Sequence, residues 1–315
     1  MLWAVFPIFA QLFYTSGSYV QNFLADTAFP KGRAGALIIA RLPCFIISML
    51  LMYAVFGRIV LVLPLVTALG FIAAGVINVF GSVFCFKALQ EGDAADVIIF
   101  GQLSPLISLG LGVMVLGEKI TTAQGLGFLF IMAAIAVVVT GSTTKKERTN
   151  PNFKVIRLTL ISAFFSILSD IVFVYFARDI LADTTLYAQS FFFFSLGSAV
   201  TVLVLFICLG KWRKAIRSVF VKSKNRNRNW LCLVADNLSF LLGELLFKYG
   251  LLIVPVVAMM TVVSKVTNLF ASFFFTVFLG KIFPKFIHGK RLTKAILVRY
   301  LISSIFIVAG IMIMN

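Results

Sequence analysis

The sequence predicts an all-α, polytopic membrane protein with ten transmembrane helices arranged as two inverted five-helix repeats. Hydrophobic residues make up 61% of the 315 positions. They are grouped into ten stretches, and each stretch approaches the roughly 20 apolar residues that a helix needs to cross a bilayer. Because lipid offers no hydrogen bonds, every backbone N–H and C=O in such a stretch must be satisfied within the chain, which favours helices.

The ten predicted spans fall into two groups of five. The first group covers residues 2–24, 35–56, 65–86, 97–116 and 123–140, and the second covers 155–176, 188–209, 230–247, 255–279 and 295–314. The polar stretch Gly141–Asn152 separates them. We therefore predict a first domain at 1–141, a basic polar linker at 142–153 and a second domain at 154–315.

Short sequence echoes suggest that the second domain is a divergent copy of the first. Phe86-Lys87 ends the third span as Phe247-Lys248 ends the eighth, and Leu116-Gly117 ends the fourth as Leu279-Gly280 ends the ninth. Self-similarity in a constant order is typical of duplication. Since each copy holds an odd number of spans, the second must enter the membrane in the opposite orientation, as in many transporters.

The distribution of basic residues predicts the orientation. The chain holds 28 Lys and Arg against 11 Asp and Glu, a net charge of +17. Of the basic residues, 22 lie on the side of the loops that follow spans 1, 3, 5, 7 and 9, including the run Lys211–Arg228, while Arg58, Lys119, Arg178 and Lys248 lie opposite. Lys and Arg are retained in the cytoplasm. We therefore expect a cell-membrane protein with both termini outside, and no binding of nucleic acid.

Residue types that carry catalysis or bind cofactors are sparse. The four cysteines lie in separate spans without CxxC spacing, and His288 is the only histidine. The chain also lacks the GxxxxGK[ST] motif of a nucleotide-binding loop. We predict no metal, no cofactor and no catalytic residue. Because the nucleotide-binding motif is missing, we also expect that ATP is not the direct source of energy.

Apart from Arg157 and Arg299, which are counted with the basic side, five charged residues fall within the predicted spans: Arg41, Asp170, Asp236, Glu244 and Lys265. Charges at such depth are costly and usually face a cavity or a partner. Arg41 and Asp236 lie near the ends of their spans. For Arg41, a purely structural role is as consistent with the sequence as a role in a cavity. Lys265, Glu244 and Asp170 favour a central cavity, and we expect Asp170 or Glu244 to balance the charge of Lys265.

Two polar stripes run along the first and ninth spans. Helical spacing puts Thr261, Lys265, Asn268 and Ser272 on one face, and another face holds Gln11, Thr15, Ser18, Asn22 and Asp26, flanked by Tyr14 and Tyr19. Such groups also join helices by hydrogen bonds of about 0.6 kcal/mol each, and for the hydroxyls alone we favour that role. The candidate substrate-binding residues are Lys265, Glu244, Asp170, Asn268, Asn22, Tyr19, Asn78 and Gln102.

The fourth span carries the features of a broken helix. Pro105 removes one backbone hydrogen bond, and Gly101 lies one turn before it. We predict a hinge at these two residues, where freed carbonyls either line a pocket or are satisfied by nearby side chains.

Several motifs of the first half resemble the signature of EamA domains in the drug/metabolite transporter superfamily. They are Phe86-Lys87-Ala88-Leu89, Ala94-Ala95, Leu103-Ser104-Pro105, Leu116-Gly117-Glu118, Gly125 and Gly127. In the second half Lys281 stands in place of the glutamate, and no proline matches Pro105. The resemblance implies two five-helix repeats that transport small molecules. It also implies cytoplasmic termini, whereas the charges favour external ones.

The leading functional hypothesis is a secondary transporter of a small organic solute, working by alternating access. Its partners are that solute and the lipid bilayer, with a homodimer left open. An alternative is a translocator of lipid-linked or phospholipid headgroups, which the basic cytoplasmic rim would attract. A membrane scaffold or an enzyme is a weaker hypothesis, since the carboxylates Glu91, Asp93 and Asp96 form the only acidic cluster.

Overall fold

The computed structural model is all-helical. It describes residues 4–29, 33–91, 97, 100–142, 153–177, 184–254, 256–282 and eight separate residues between 298 and 313. Within these ranges there are ten α-helices: α1 Val5–Phe23, α2 Leu42–Phe56, α3 Leu65–Glu91, α4 Ser104–Leu116, α5 Thr122–Ser142, α6 Phe153–Ala177, α7 Thr184–Cys208, α8 Gly210–Phe220, α9 Arg226–Ile253 and α10 Val257–Ile282. A π-helical turn, Leu24–Ala28, extends α1, and 3-10 segments at Ala34–Arg41 and Gly57–Leu61 flank α2.

Five helical stretches are long and apolar enough to cross a membrane by length and composition. They are Ala34–Leu61, Leu65–Glu91, Phe153–Ala177, Thr184–Cys208 and Arg226–Ile253. Shorter apolar helices occupy Ser104–Leu116, Thr122–Ala134 and Val257–Ser272. The predicted linker lies outside the described residues except at its two ends, and so does most of the last predicted span.

Two glycines end helices in a conformation that other residues rarely adopt. Gly57 follows α2 with φ +67°, and Gly117 follows α4 with φ +63°. At the end of α4 the amides of Gly117 and Glu118 both bond to the carbonyl of Gly112, so this carbonyl near the helix end is satisfied within the chain. The turn at Gly117 explains why a glycine stands in the Leu116-Gly117-Glu118 motif.

Helix α3 packs closely against both α6 and α7. A Cβ added at Gly75 of α3 would overlap the carbonyl oxygen of Phe194 and lie 2.8 Å from the amide nitrogen of Ser198, both in α7. A Cβ at Gly197 of α7 would overlap the carbonyl oxygen of Ile72 in the same way. In membranes such small residues allow helix backbones to approach and pack by dispersion forces.

The pairing of helices across the two halves follows a regular register. Ser162 and Ser169 of α6 donate to the carbonyls of Gly81 and Ala74 in α3, so these two helices run antiparallel. Helices α1 and α9 are antiparallel as well, because Ser16 bonds to Ser239 while Gln21, further along α1, bonds to Asp236. Helices α1 and α10 run parallel, since Gln11 meets Ser264 and Thr15 meets Asn268. Pairs of this kind bury one half of the chain against the other.

Helix α8 lies inside the basic run that the sequence analysis treated as a loop. It buries Ala215, Val219 and Phe220 and exposes its basic side chains, including Lys211 and Lys214. Its end is held by Asn229 and Trp230, which donate to the carbonyls of Val219 and Phe220. A helix with one apolar face and a cationic opposite face is typical of the membrane interface.

Candidate functional site

The centre of the molecule holds a cluster of buried charged residues built around Lys248 of α9. The ammonium of Lys248 lies 2.7 Å from Oδ1 of Asp170 in α6 and 3.8 Å from Oε1 of Glu244, one turn earlier in α9. Its side chain is 1% exposed. The rings of Phe173 and Phe194 lie 4.9 and 4.4 Å from the same nitrogen, a distance at which an aromatic face attracts a cation.

Tyr14 of α1 connects this cluster to the first half of the chain. Its hydroxyl donates a hydrogen bond to Oε2 of Glu244. The ring approaches α9 closely because residue 243 is glycine: a Cβ there would lie 2.9 Å from the Tyr14 ring. We call Tyr14, Asp170, Glu244 and Lys248 the central cluster.

Lys248 lies within a long helix and not after its end, as predicted from the sequence. The predicted eighth span ends at Phe247, with Lys248 among the basic residues of the outer side, whereas α9 continues to Ile253 and Lys248 is buried. Asp170 and Glu244 therefore form their ion pairs with Lys248, and not with Lys265 as predicted. The pairing of Glu244 with Lys248 could have been predicted from the sequence, since a glutamate four residues before a lysine on a helix is a favourable pair.

A second charged pair lies between Arg41, at the start of α2, and Asp236 of α9. The two side chains are 4% and 0% exposed, and Nη2 of Arg41 lies 3.3 Å from Oδ1 of Asp236. Gln21 of α1 donates to the same oxygen at 2.7 Å. The guanidinium also stacks 4.0 Å from the ring centroid of Phe240 and 4.9 Å from that of Phe86. Arg41 thus has a buried partner and does not reach out to the membrane surface.

The two polar stripes of the predicted first and ninth spans face each other. Gln11 accepts from Ser264 at 2.6 Å, and Thr15 donates to Asn268 Oδ1 at 3.0 Å. Tyr19 donates to the backbone carbonyl of Ser272 at 2.9 Å. These bonds join α1 to α10 and give most of the stripe a helix-joining role.

Lys265 differs from its neighbours on the α10 stripe. It is partly exposed, and on its helix face it lies between Thr261, which bonds to Ser108 of α4, and Asn268, which bonds to Thr15 of α1. Lys265 therefore lies on the inward side of α10. Within the part of the chain that the structure describes, no carboxylate forms an ion pair with it. A lysine near the bilayer centre costs about 2.5–3.5 kcal/mol on insertion scales, which an ion pair would offset.

Gln102 and Asn78 are buried amides with unused hydrogen-bonding atoms. Both the oxygen and the nitrogen of Gln102, which is 1% exposed, lack a partner among the described residues, and so does the amide nitrogen of Asn78 in α3. Buried polar groups of this kind are uncommon and call for an explanation, such as a bound ligand or water. Asn22 of α1 is partly exposed and lies beside Gln21, outside the central cluster.

The predicted helix break is located directly before α4. Helical backbone at Gly101 gives way to a turn at residues 102 and 103, and Ser104 Oγ donates to the carbonyl of Gly101 at 2.6 Å. Pro105 stands in the first turn of α4, where its missing N–H costs nothing. Gln102 is therefore held at the break itself.

At its other end α4 contacts the start of α10. The carboxylate of Glu118 accepts a hydrogen bond at 3.0 Å from the amide of Val257, the first residue of α10. A carboxylate is stabilised there by the unpaired amides and the positive end of the helix dipole. Four residues later, Thr261 donates to Ser108 of α4 at 3.1 Å. The glutamate of the resemblance motif thus joins the two halves of the chain.

No cluster of His, Cys, Asp or Glu with the arrangement of a metal site occurs among the described residues. The central cluster offers two carboxylates, one ammonium and one phenol, held between helices of both halves. Such a set can bind polar solutes and exchange protons.

Comparison with known proteins bears on the first half of the sequence and on the fold of the whole chain. The model of the EamA-like transporter family matches residues 2–140, which confirms the resemblance predicted from the motifs. A solved crystal structure is similar to this chain with a TM-score of 0.61 and 16% sequence identity, over 97% of this chain and 96% of the other. At that identity the similarity concerns the fold alone. No curated protein sequence matches the chain significantly.

Proposed function

Since residues 2–140 match the model of the EamA-like transporter family, we propose that the whole chain is a secondary transporter. It moves a small organic solute across the cell membrane by alternating access. Residues 154–315 act as a second, divergent EamA-like repeat, and residues 142–153 connect the two.

The helix contacts between the two halves occur in equivalent pairs, which supports an inverted repeat. In such a repeat α1, α2, α3 and α4 would correspond in order to α6, α7, α9 and α10. A two-fold axis would then map the contact between α1 and α9 onto the contact between α6 and α3. It would likewise map the contact between α1 and α10 onto the contact between α6 and α4. Helices of all four pairs contact each other, as do α2 with α7 and α4 with α10, which the axis maps onto themselves. Carriers built this way bind solute between the repeats, near the middle of the membrane.

The central cluster is the observation that carries the proposal. Tyr14 belongs to the first repeat, whereas Asp170, Glu244 and Lys248 belong to the second, and the hydrogen bond from Tyr14 to Glu244 crosses between them. Ionisable residues inside a transporter mark solute pathways and proton relays. Breaking and remaking one polar contact is compatible with a movement of one repeat against the other.

The energy source in this proposal is a gradient of the solute or of protons. For a proton gradient, Glu244 and Asp170 are the carriers. Lys248 lies within ion-pairing distance of both carboxyl groups in this conformation. A movement that withdrew Lys248 would leave two carboxylates in a medium that disfavours charge, and one of them would take up a proton.

Reconstitution of the full chain into liposomes tests the proposal. A ¹³C-labelled metabolite extract is added outside, and the solutes that accumulate inside are identified by mass spectrometry against protein-free liposomes. We expect accumulation with the parent protein, slower accumulation with Tyr14→Phe, and no change with Tyr53→Phe, because Tyr53 is 42% exposed on α2. Absence of accumulation of every solute would contradict the proposed function.

A further inference from the structure

Lys265 faces the interior of the molecule, and no carboxylate lies within ion-pairing distance of it among the described residues. Within the described spans, Arg41 is bonded to Asp236, and Lys248 lies between Asp170 and Glu244. Lys265 interacts with Asp170 only at longer range, while Oδ1 of Asp170 is already 2.7 Å from Lys248. The ammonium of Lys265 can therefore accept a further negative charge.

The register between α4 and α10 brings Gln102 close to the depth of Lys265. The two helices are antiparallel: Glu118, folded back over Gly112, meets Val257, and Ser108 meets Thr261. One turn further along this register, Ser104 is level with Lys265, and the helix break that holds Gln102 follows directly. Both polar atoms of the Gln102 amide are unused among the described residues.

Helix α3 contributes a third donor, the amide of Asn78. Asn78 lies two turns before Cys85, and a separation of seven residues puts both on one face of α3. The α3–α6 register sets Asn78 between the levels of Cys85 in α3 and Asp170 in α6, and Asp170 lies close enough to Lys265 for the two charges to interact at long range. The amide nitrogen of Asn78 has no hydrogen-bond partner in the described structure.

We infer that Lys265, Gln102 and Asn78 bind an anionic group of the transported solute, a carboxylate or a phosphate. The three side chains offer N–H donors, and both anions accept several such bonds at once. This inference rests on the proposed function, because it names the class of solute that the transporter carries.

The liposome experiment is extended to test it. An anion-exchange resin divides the ¹³C-labelled extract into a retained, anionic fraction and a flow-through of neutral and cationic solutes. Parent protein, Lys265→Met, Lys265→Arg and the control Lys119→Met, an exposed lysine after α4, are compared on both fractions. Treatment of the anionic fraction with alkaline phosphatase distinguishes phosphate esters, which lose their transported form, from carboxylates, which do not.

We expect the parent protein to accumulate solutes of the anionic fraction. Lys265→Met should lower that accumulation by about 10- to 100-fold, the loss typical of a hydrogen bond to a charged group, while Lys265→Arg and Lys119→Met retain most of it. Accumulation of flow-through solutes alone, or an unchanged rate for a folded Lys265→Met, would overturn the inference and leave the transport function standing. If neither fraction yields an accumulated solute, it is the transport function that is wrong. The fraction carried by the parent decides the matter even if Lys265→Met does not fold.

Discussion

The ammonium of Lys248 lies 2.7 Å from the carboxylate of Asp170, and this bond joins α9 to α6 in the interior of the molecule. Neither side chain has bulk water to replace its partner, since they are 1% and 12% exposed. Two aromatic rings next to the ammonium add to its isolation from water. The pair therefore concerns stability as well as function.

We expect Lys248→Met to lower the free energy of unfolding by about 3–5 kcal/mol, because removing one partner of a buried pair leaves the other charge uncompensated. The double variant Lys248→Met/Asp170→Asn should recover part of the loss, since it removes the stranded carboxylate. Denaturant unfolding of the purified protein in detergent measures both, with Lys119→Met as the control. A Lys248→Met protein as stable as its parent would contradict this account of the pair.

Arg41 should be similarly sensitive. Arg41→Met leaves Asp236, which is fully buried, with the hydrogen bond from Gln21 alone. We expect a loss of about 3–5 kcal/mol, and a smaller one for Arg41→Lys, which keeps the charge but loses the planar group that stacks on Phe240. Arg157→Met, at an exposed position of α6, is the matched control. Equal melting temperatures for the Arg41 and Arg157 variants would show that the pair adds no stability.

The contact between α3 and α7 predicts opposite effects of the same substitution at two glycines. Gly75→Ala forces a methyl group against the backbone of α7 and should cost about 1–3 kcal/mol, as overpacking usually does. Gly110→Ala in α4 meets nothing within 4 Å and should be neutral or stabilising by up to about 1 kcal/mol, since alanine is the better helix former. Thermal unfolding of the two variants compares them directly. The reverse order would mean that α3 and α7 are further apart than described.

The predicted orientation is tested by cysteine labelling in a background without the four native cysteines. Lys214 on α8 and Lys119 after α4 are both exposed, and the charge distribution assigns them to opposite sides of the membrane. In intact cells, an impermeant thiol reagent should modify Lys119→Cys and leave Lys214→Cys unmodified until the cells are lysed. The opposite pattern would favour cytoplasmic termini, as the EamA resemblance implies.

Much of the helical arrangement could be predicted from hydropathy and helical spacing. Nine of the ten predicted spans overlap described helices, with ends that differ by at most seven residues. The stripes containing Thr15 and Asn268 were also predicted, and their contact follows from the need to satisfy polar groups in lipid. Hydropathy and helical spacing are local patterns, so each can be recognised from a short stretch of the sequence alone.

Long-range pairing could not be predicted in the same way. Arg41 and Asp236 are 195 residues apart, and only the packing of α2 against α9 brings them together. Lys248 was misassigned because a charge after a run of apolar residues normally marks the end of a span, whereas here an acidic residue on another helix, Asp170, compensates it. Helix α8 was missed because its basic residues were interpreted only as an indicator of orientation.

The glycine contacts of α3 constrain how the protein is made. Gly75 of α3 fits against Phe194 and Ser198 of α7, and the carbonyls of Ala74 and Gly81 accept bonds from α6. During synthesis α3 emerges long before α6 and α7, so its small-residue face remains in contact with lipid until these two helices are inserted. The first half of the chain is therefore a biogenesis intermediate that reaches its final packing only once the second half has been inserted.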